Sequence, residues 1–299
     1  MERRILGKTK LQVSVLVFGA AEIGYENASQ ESVDRLLGAA LDSGVNAIDT
    51  GECYRDSEEK IGAAVSHRRG EVFLFTKCGH ASGLDGEDWT PELIGRSIDR
   101  SLRRLRTDSV DLLQLHSCSA DVLKQGDVIR ALQDAQDAGK TRFLGYSGDS
   151  ADAVAAIETR AFDTLQTSIN LADQEAITLT VPLAVERSMG VLAKRSLANA
   201  VWKYDEKPAN AYYEEYWERL KRIDYLFLRA SNLADSLATA LRFTLSVPGV
   251  TAAIAGSKSE ERFRQNLAFV PPSTLPDEQF EYIRRIWAER ASRDWVGQV

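Results

Sequence analysis

Disulfides cannot hold this chain together: three cysteines in 299 residues are too few, and odd in number, for a covalent framework, so the fold must rest on its core. The thiols are expected to be reduced. Three thiols with His80 nearby make up the ligand types of a structural zinc site, but no close-spaced C-x-x-C pair is present, and no metal site is expected. Positive charge is also short, with 37 Lys+Arg against 44 Asp+Glu and a net charge of −7. That balance argues against broad binding to nucleic acid or an anionic membrane, while leaving room for a local cationic pocket. No apolar run approaches a membrane span, and Met1-Glu2-Arg3-Arg4-Ile5 lacks the apolar core of a secretory signal, so a cytoplasmic protein is expected. Inter-domain linkers, low-complexity tracts and repeats of solenoid length are missing too. The sequence reads as one domain over residues 1–299 and, by default, as a monomer.

What is present is apolar material, 44% of the chain, arranged as strands alternating with helices. Strand-like runs are expected at Val15–Phe18, Val45–Asp49, Val72–Lys77, Val110–His116, Phe143–Ser147, Thr164–Ser168, Gly190–Lys194 and Thr251–Ala255. Between them lie helical patterns. One has Ser29 as N-cap, Val33, Leu36, Leu37, Ala40 and Leu41 on one face, and Gly44 as terminator. Another opens on Thr90-Pro91-Glu92, with a cap, a proline at the first position and an acidic first turn. A last helix is expected around Asp277–Ala288. Eight β/α alternations imply parallel strands closed into an α/β (β/α)8 TIM barrel. The rival, an open doubly wound sheet, would bind a dinucleotide through G-x-G-x-x-G, and Val17-Phe18-Gly19-Ala20-Ala21-Glu22 provides no such turn.

Several of these runs stop abruptly at an ionisable or phenolic side chain: Asp49 and Tyr54, Lys77, and His116. Barrel strands that end this way direct their polar residues to one rim, where such barrels place their chemistry. Singly, each residue has a structural explanation: a buried ion pair, a rim aromatic, a satisfied histidine. Together they describe a proton donor aimed at a carbonyl. Tyr54 would be the general acid, with Lys77 beside it to lower the phenol's pKa, Asp49 to balance the lysine, and His116 to orient the oxygen. No side chain can supply a hydride, so a nicotinamide or flavin must.

At this point the chain resembles the aldo-keto reductases. Asp49-Thr50-Gly51-Glu52-Cys53-Tyr54-Arg55-Asp56-Ser57-Glu58-Glu59-Lys60-Ile61-Gly62 is similar to the family's D-T-A-x-x-Y-G-x-S-E-x-x-L-G motif, with Gly51 and Arg55 as departures. Thr76-Lys77 matches its T-K strand end, and Ser101-Leu102-Arg103-Arg104-Leu105 through His116 resembles the helix and strand leading to the family histidine. The resemblance implies a (β/α)8 barrel that binds NADP(H) across the rim and reduces carbonyl compounds, with Asp49, Tyr54, Lys77 and His116 as the catalytic residues. It places Ser147 and Gln166 on the nicotinamide carboxamide, although Gly148 stands where the family has asparagine. It assigns Gly19, Ala20, Asp49, Leu197, Gly256 and Ser257 to the cofactor as well. Ile254 through Asn266 is similar to the adenosine-end motif, with Lys258 and Arg262 holding a 2′-phosphate and Asn266 contacting adenine. Lys194 and Arg195 stand where many members have an aromatic that stacks on the nicotinamide. A lysine stem could cover the ring, the pair could clamp a phosphate or an acidic substrate, or the two could be solvated cations.

The substrate mouth is expected to be lined by Glu22, Trp89, His116, the loop from Ser117 to Val122, and Trp202, Tyr213 and Trp217 of an aromatic insertion after Lys194. Such a lining would suit an apolar or flat carbonyl compound. Cys53, Cys78 and Cys118 all neighbour a catalytic position in sequence, and a thiol beside Lys77 could be acidic and oxidisable, or simply a small buried residue. A different class of function is a regulatory barrel that senses NADP(H) with little turnover.

Overall fold

The computed structural model describes residues 1–271 and 273–298. Eight parallel strands pair in chain order and close on themselves: β1 (Leu16–Gly19), β2 (Ala47–Asp49), β3 (Phe73–Cys78), β4 (Val110–His116), β5 (Thr141–Ser147), β6 (Thr164–Ser168), β7 (Gly190–Lys194) and β8 (Val250–Gly256). Closure comes from β8, which pairs with both β7 and β1. This is the (β/α)8 barrel anticipated from the alternation. The strands are almost entirely buried because helices cover the outer face and side chains fill the interior, which is why they read as continuous apolar runs.

The helices start where the caps say they should. Ser29 accepts from the Ser32 amide at the head of Gln30–Asp42, and Thr90 accepts from the Leu93 amide ahead of Pro91–Leu105. Their apolar stripes join the outer faces of the strands in one large core that includes Val33, Leu37, Ile94 and Ile98. No helix among the described residues is long and apolar enough to cross a membrane.

Two features went unread in the sequence. Arg3–Ile5 and Gln12–Ser14 form a short antiparallel hairpin, and Leu6, Leu11 and Val13 pack with the barrel-lining Val17, Phe75, Leu112 and Leu192. The hairpin thus plugs the barrel end opposite the chemistry; strands of three residues leave too little alternation to detect. The insertion after β7 forms a second core: Tyr216, Leu220 and Ile223 of helix Ala211–Ile223 pack with Tyr225, Phe243 and with Ile283 of helix Asp277–Arg290. Full burial of apolar side chains of this size is worth about 1.5–3 kcal/mol each, which fixes the insertion to the rim.

Candidate active site

Parallel strands deliver their C-terminal ends to one rim, and the register brings three of the four residues side by side. Asp49 ends β2, Lys77 lies one residue before the end of β3, and His116 ends β4. Tyr54 follows β2 on a turn. The fully buried Lys77 Nζ donates to Asp49 Oδ2 at 2.6 Å and to the Thr50 carbonyl at 2.6 Å. Asp49 Oδ1 accepts from Gln114 Nε2 at 2.9 Å and from Gln166 Nε2 at 2.8 Å. Both carboxylate oxygens are therefore satisfied, the condition under which a buried ion pair is tolerable. Lys77 Nζ stands 4.9 Å from the centre of the Tyr54 ring, and the His116 ring meets that ring edge-on with centroids 6.2 Å apart.

The electrostatics correct one expectation. Burial, with the Asp49 charge adding to it, pushes the Tyr54 phenol well above its ordinary value instead of Lys77 pulling it down. The lysine's charge is already committed to Asp49 and Thr50, and it faces the ring rather than hydrogen-bonding the hydroxyl. His116 is driven well below the usual range, first by burial and then by the charge of Lys77, so it is a neutral imidazole. The motif's departures have local explanations. Arg55 takes the left-handed conformation (φ 53°) where the family has glycine. A Cβ on Gly51 would meet Tyr54 and Lys77 at an ordinary 3.5–3.6 Å, so alanine and glycine fit equally.

The cysteines do not gather. Cys53 Sγ lies 3.6 Å from His116 Nδ1, with Glu52 alongside, and Cys78 and Cys118 are buried separately. Nor are they acidic. Burial, assisted by the Glu52 charge, pushes Cys53 up to about 12, and burial raises Cys78 well above the normal thiol range despite its neighbour Lys77. Of the two readings of the sequence, the acidic thiol is corrected, while the small buried residue holds for Cys78 and Cys118.

A continuous cleft runs from Tyr54 and His116 along the strand ends to Lys258, Arg262 and Asn266, and Gly19, Ala20, Ser147, Gln166, Lys194, Arg195, Leu197, Gly256 and Ser257 all line it. Ser147 Oγ donates to Gln166 Oε1 at 3.1 Å, linking those two residues to Asp49. At the far end Ser259 caps helix Glu260–Phe269, whose N-terminus offers amides and a positive dipole beside Lys258 and Arg262. Lys258 bridges the mouth to Glu26 at 2.9 Å. A Cβ on Gly256 would collide with the Glu22 carboxylate and the Gly19 carbonyl, so the backbone approach there demands glycine.

Lys194 and Arg195 are not a solvated pair. Lys194 Nζ binds Asp149 Oδ2 at 2.8 Å, and both side chains are largely buried. Asp149 also accepts from the Thr167 hydroxyl at 2.7 Å and the Ser168 amide at 2.6 Å. Burial pushes that carboxyl upward, but Lys194 and these donors outweigh it and hold the group below the usual range. Gly148, where the family has asparagine, packs against Tyr146: a Cβ would stand 2.6–2.8 Å from that ring. Arg195 Nε donates to Tyr212 Oη at 3.0 Å and the guanidinium stacks on that ring, while Nη1 is buried without a partner among the described residues.

The mouth differs from expectation. Trp202 and Trp217 do not line the cleft; their indoles donate to Ser236 and to the Tyr204 carbonyl inside the insertion's own core. Trp89 lies behind the site, donating to the His116 carbonyl at 2.9 Å and packing on His80. Glu22 is in the cleft but turns toward Gly256 rather than toward Tyr54. The aromatics that do face the cleft beyond Tyr54 are Tyr213, which the sequence reading placed at the mouth, and Tyr212, which it did not.

Barrel, rim residues and cleft together define an oxidoreductase of the carbonyl-handling (β/α)8 class. The Aldo/keto reductase family model matches residues 15–288, and the chain belongs to that family. It is 26% identical to the aldo-keto reductase AKR11C1 from Bacillus halodurans, solved in its holo form, over 96% of each chain with a TM-score of 0.81. It is also 25% identical to YqkF, an uncharacterised oxidoreductase of Bacillus subtilis, over 95% of this chain and 96% of that one. With L-galactose dehydrogenase of Arabidopsis thaliana it shares 35% identity over 50% of this chain and 49% of the relative.

Proposed function

We propose that the protein reduces an aldehyde or ketone to an alcohol with NADPH, reversibly, using Tyr54 as proton donor, Lys77 and Asp49 as its tuners and His116 as the group that orients the carbonyl. The observation that carries this is the single cleft joining Tyr54 and His116 at one end to Lys258, Arg262 and Asn266 at the other. A dinucleotide fits that run of residues: Ser147 and Gln166 present amide-binding groups near the tetrad, Gly256 gives close backbone approach, and Arg195 adds a cation to the lining. When bound, the nicotinamide supplies the hydride.

The protein's own part follows from the electrostatics. A phenol held above its ordinary pKa keeps its proton until an alkoxide, a much stronger base, forms beside it, and the transfer is then downhill. Lys77, fixed by Asp49 and 4.9 Å from the ring centre, packs on the Tyr54 ring and holds it in place for that transfer. The neutral imidazole of His116 donates one N–H to the carbonyl oxygen without adding a net charge that would compete with Lys77.

Cofactor choice tests the far end. Lys258→Ala with Arg262→Ala is expected to weaken NADPH by at least about tenfold while NADH changes little, because charge-assisted bonds to a 2′-phosphate are lost only with the former. Equal weakening in titrations with both cofactors would refute the assignment of those cations to the 2′-phosphate. Glu22 adds a pH signature. Burial and the nearby Glu26 charge raise its carboxyl to about 7. As pH rises through that value the cleft gains a negative charge next to the cofactor path. NADPH affinity is expected to fall several-fold across this window, and Glu22→Gln is expected to flatten the profile. A wild-type affinity that rises with pH would contradict this placement.

A further inference from the structure

Beside His116 lie two side chains, Glu52 and Cys53, that the reduction reaction does not use. Glu52 is 1% exposed; its Oε1 accepts the His80 amide at 3.0 Å, while Oε2 is buried without a partner among the described residues. Such an orphaned carboxylate oxygen is costly to bury and marks either stored strain or an absent ligand. Next to it, Cys53 Sγ and His116 Nδ1 are 3.6 Å apart, and one oxygen of Glu52 lies with both atoms inside a 4.8 Å span. Among the described residues this is the one group of three or more such side chains at ligating distance.

We propose that Glu52, Cys53 and His116 form a binding site for a soft divalent cation of the zinc class. The donor set of one thiolate, one imidazole and one carboxylate is that of zinc rather than of calcium or magnesium. Zn–S and Zn–N bonds of about 2.3 and 2.05 Å at a tetrahedral angle separate sulfur from nitrogen by about 3.6 Å, which matches the spacing found here. The carboxylate oxygen lies within 4.8 Å of both atoms and has to draw closer to them to complete the triangle. The charge of Lys77, which acts on His116, opposes entry, but its ammonium is paired with Asp49 and bonded to the Thr50 carbonyl, and a Cys53 thiolate and a Glu52 carboxylate bring two negative charges to the ion. On binding, the Cys53 S–H bond breaks and the Glu52 carboxyl, which burial raises to about 8, gives up its proton as well; sulfur–metal and oxygen–metal bonds form, and both protons leave to solvent with no change of oxidation state. Three protein ligands leave a fourth position for water, so binding is reversible. Coordination at Nδ1 also restricts the N–H of His116 to Nε2, tying the catalytic imidazole's tautomer to occupancy.

Cobalt(II) titrated into tag-free protein tests this without any activity assay. One equivalent is expected to produce a thiolate-to-cobalt charge-transfer band, and zinc(II) is expected to bleach it by displacement. Cys53→Ser is expected to abolish the band and weaken binding by at least about tenfold, and Glu52→Gln to weaken binding while keeping the band. Both variants are to be checked for wild-type circular dichroism; if Cys53→Ser fails to fold, Glu52→Gln and the wild-type spectrum carry the test. Absence of the band in wild type, or unchanged affinity in a folded Cys53→Ser or Glu52→Gln protein, overturns the proposal.

Discussion

Tyr54→Phe is expected to reduce carbonyl turnover by about 10²- to 10⁴-fold while leaving NADPH affinity nearly unchanged. The substitution deletes one oxygen and its proton. It keeps the ring that Lys77 faces at 4.9 Å and His116 meets edge-on, and it leaves the Lys77–Asp49 pair intact. Because the phenol is held above its normal range, no phenolate is lost from the resting site, and the defect is confined to proton donation. Steady-state rates with a panel of aldehydes and ketones, together with a fluorescence titration of NADPH, separate the two quantities. Loss of binding in parallel with turnover would instead assign Tyr54 to the cofactor, and an unaltered rate would remove it from the mechanism.

The second large effect is expected at the ion pair under the cleft. Asp149→Asn leaves Lys194 mostly buried with no counter-charge, and removing one partner of a buried pair typically costs about 3–5 kcal/mol. That is enough to lower the melting temperature by several degrees. Adding Lys194→Met to the same protein is expected to recover most of the loss, because an apolar side chain of similar length needs no partner. A thermal melt of wild type, single variant and double variant makes the comparison. If Asp149→Asn melts like the wild type, Lys194 is not held by Asp149, and the cleft wall is charged rather than neutralised at this point.

How far the sequence spoke depended on burial and distance. Strands of a covered barrel are buried on both faces, so Val110–His116, Thr164–Ser168 and Gly190–Lys194 appear as unbroken runs, and their ends were legible to the residue. Asp49, Lys77 and His116 were legible for the same reason: an ionisable group after an apolar run marks the rim. What escaped notice depended on partners far away in the chain. Nothing near Lys194 announces Asp149, and nothing near Glu52 announces the imidazole beside it. Trp202 and Trp217 misled because an aromatic insertion at a rim can either enclose a ligand or build its own core, and only packing decides between them. The Tyr54 and Cys78 shifts went the other way from the expected direction because desolvation, which sequence neighbours do not reveal, exceeds the effect of the nearby ammonium.

The central claim is that a hydride from bound NADPH and a proton from Tyr54 reach a carbonyl carbon and oxygen, rather than the chain merely holding a cofactor as a regulatory barrel would. Reaction with NADPH carrying deuterium at the transferable nicotinamide position, with the product read by mass spectrometry, tests it most directly. The account predicts an alcohol bearing one deuterium on the former carbonyl carbon and stoichiometric loss of reduced cofactor. Tight NADPH binding with no deuterated alcohol from any aldehyde or ketone of a broad panel would contradict it.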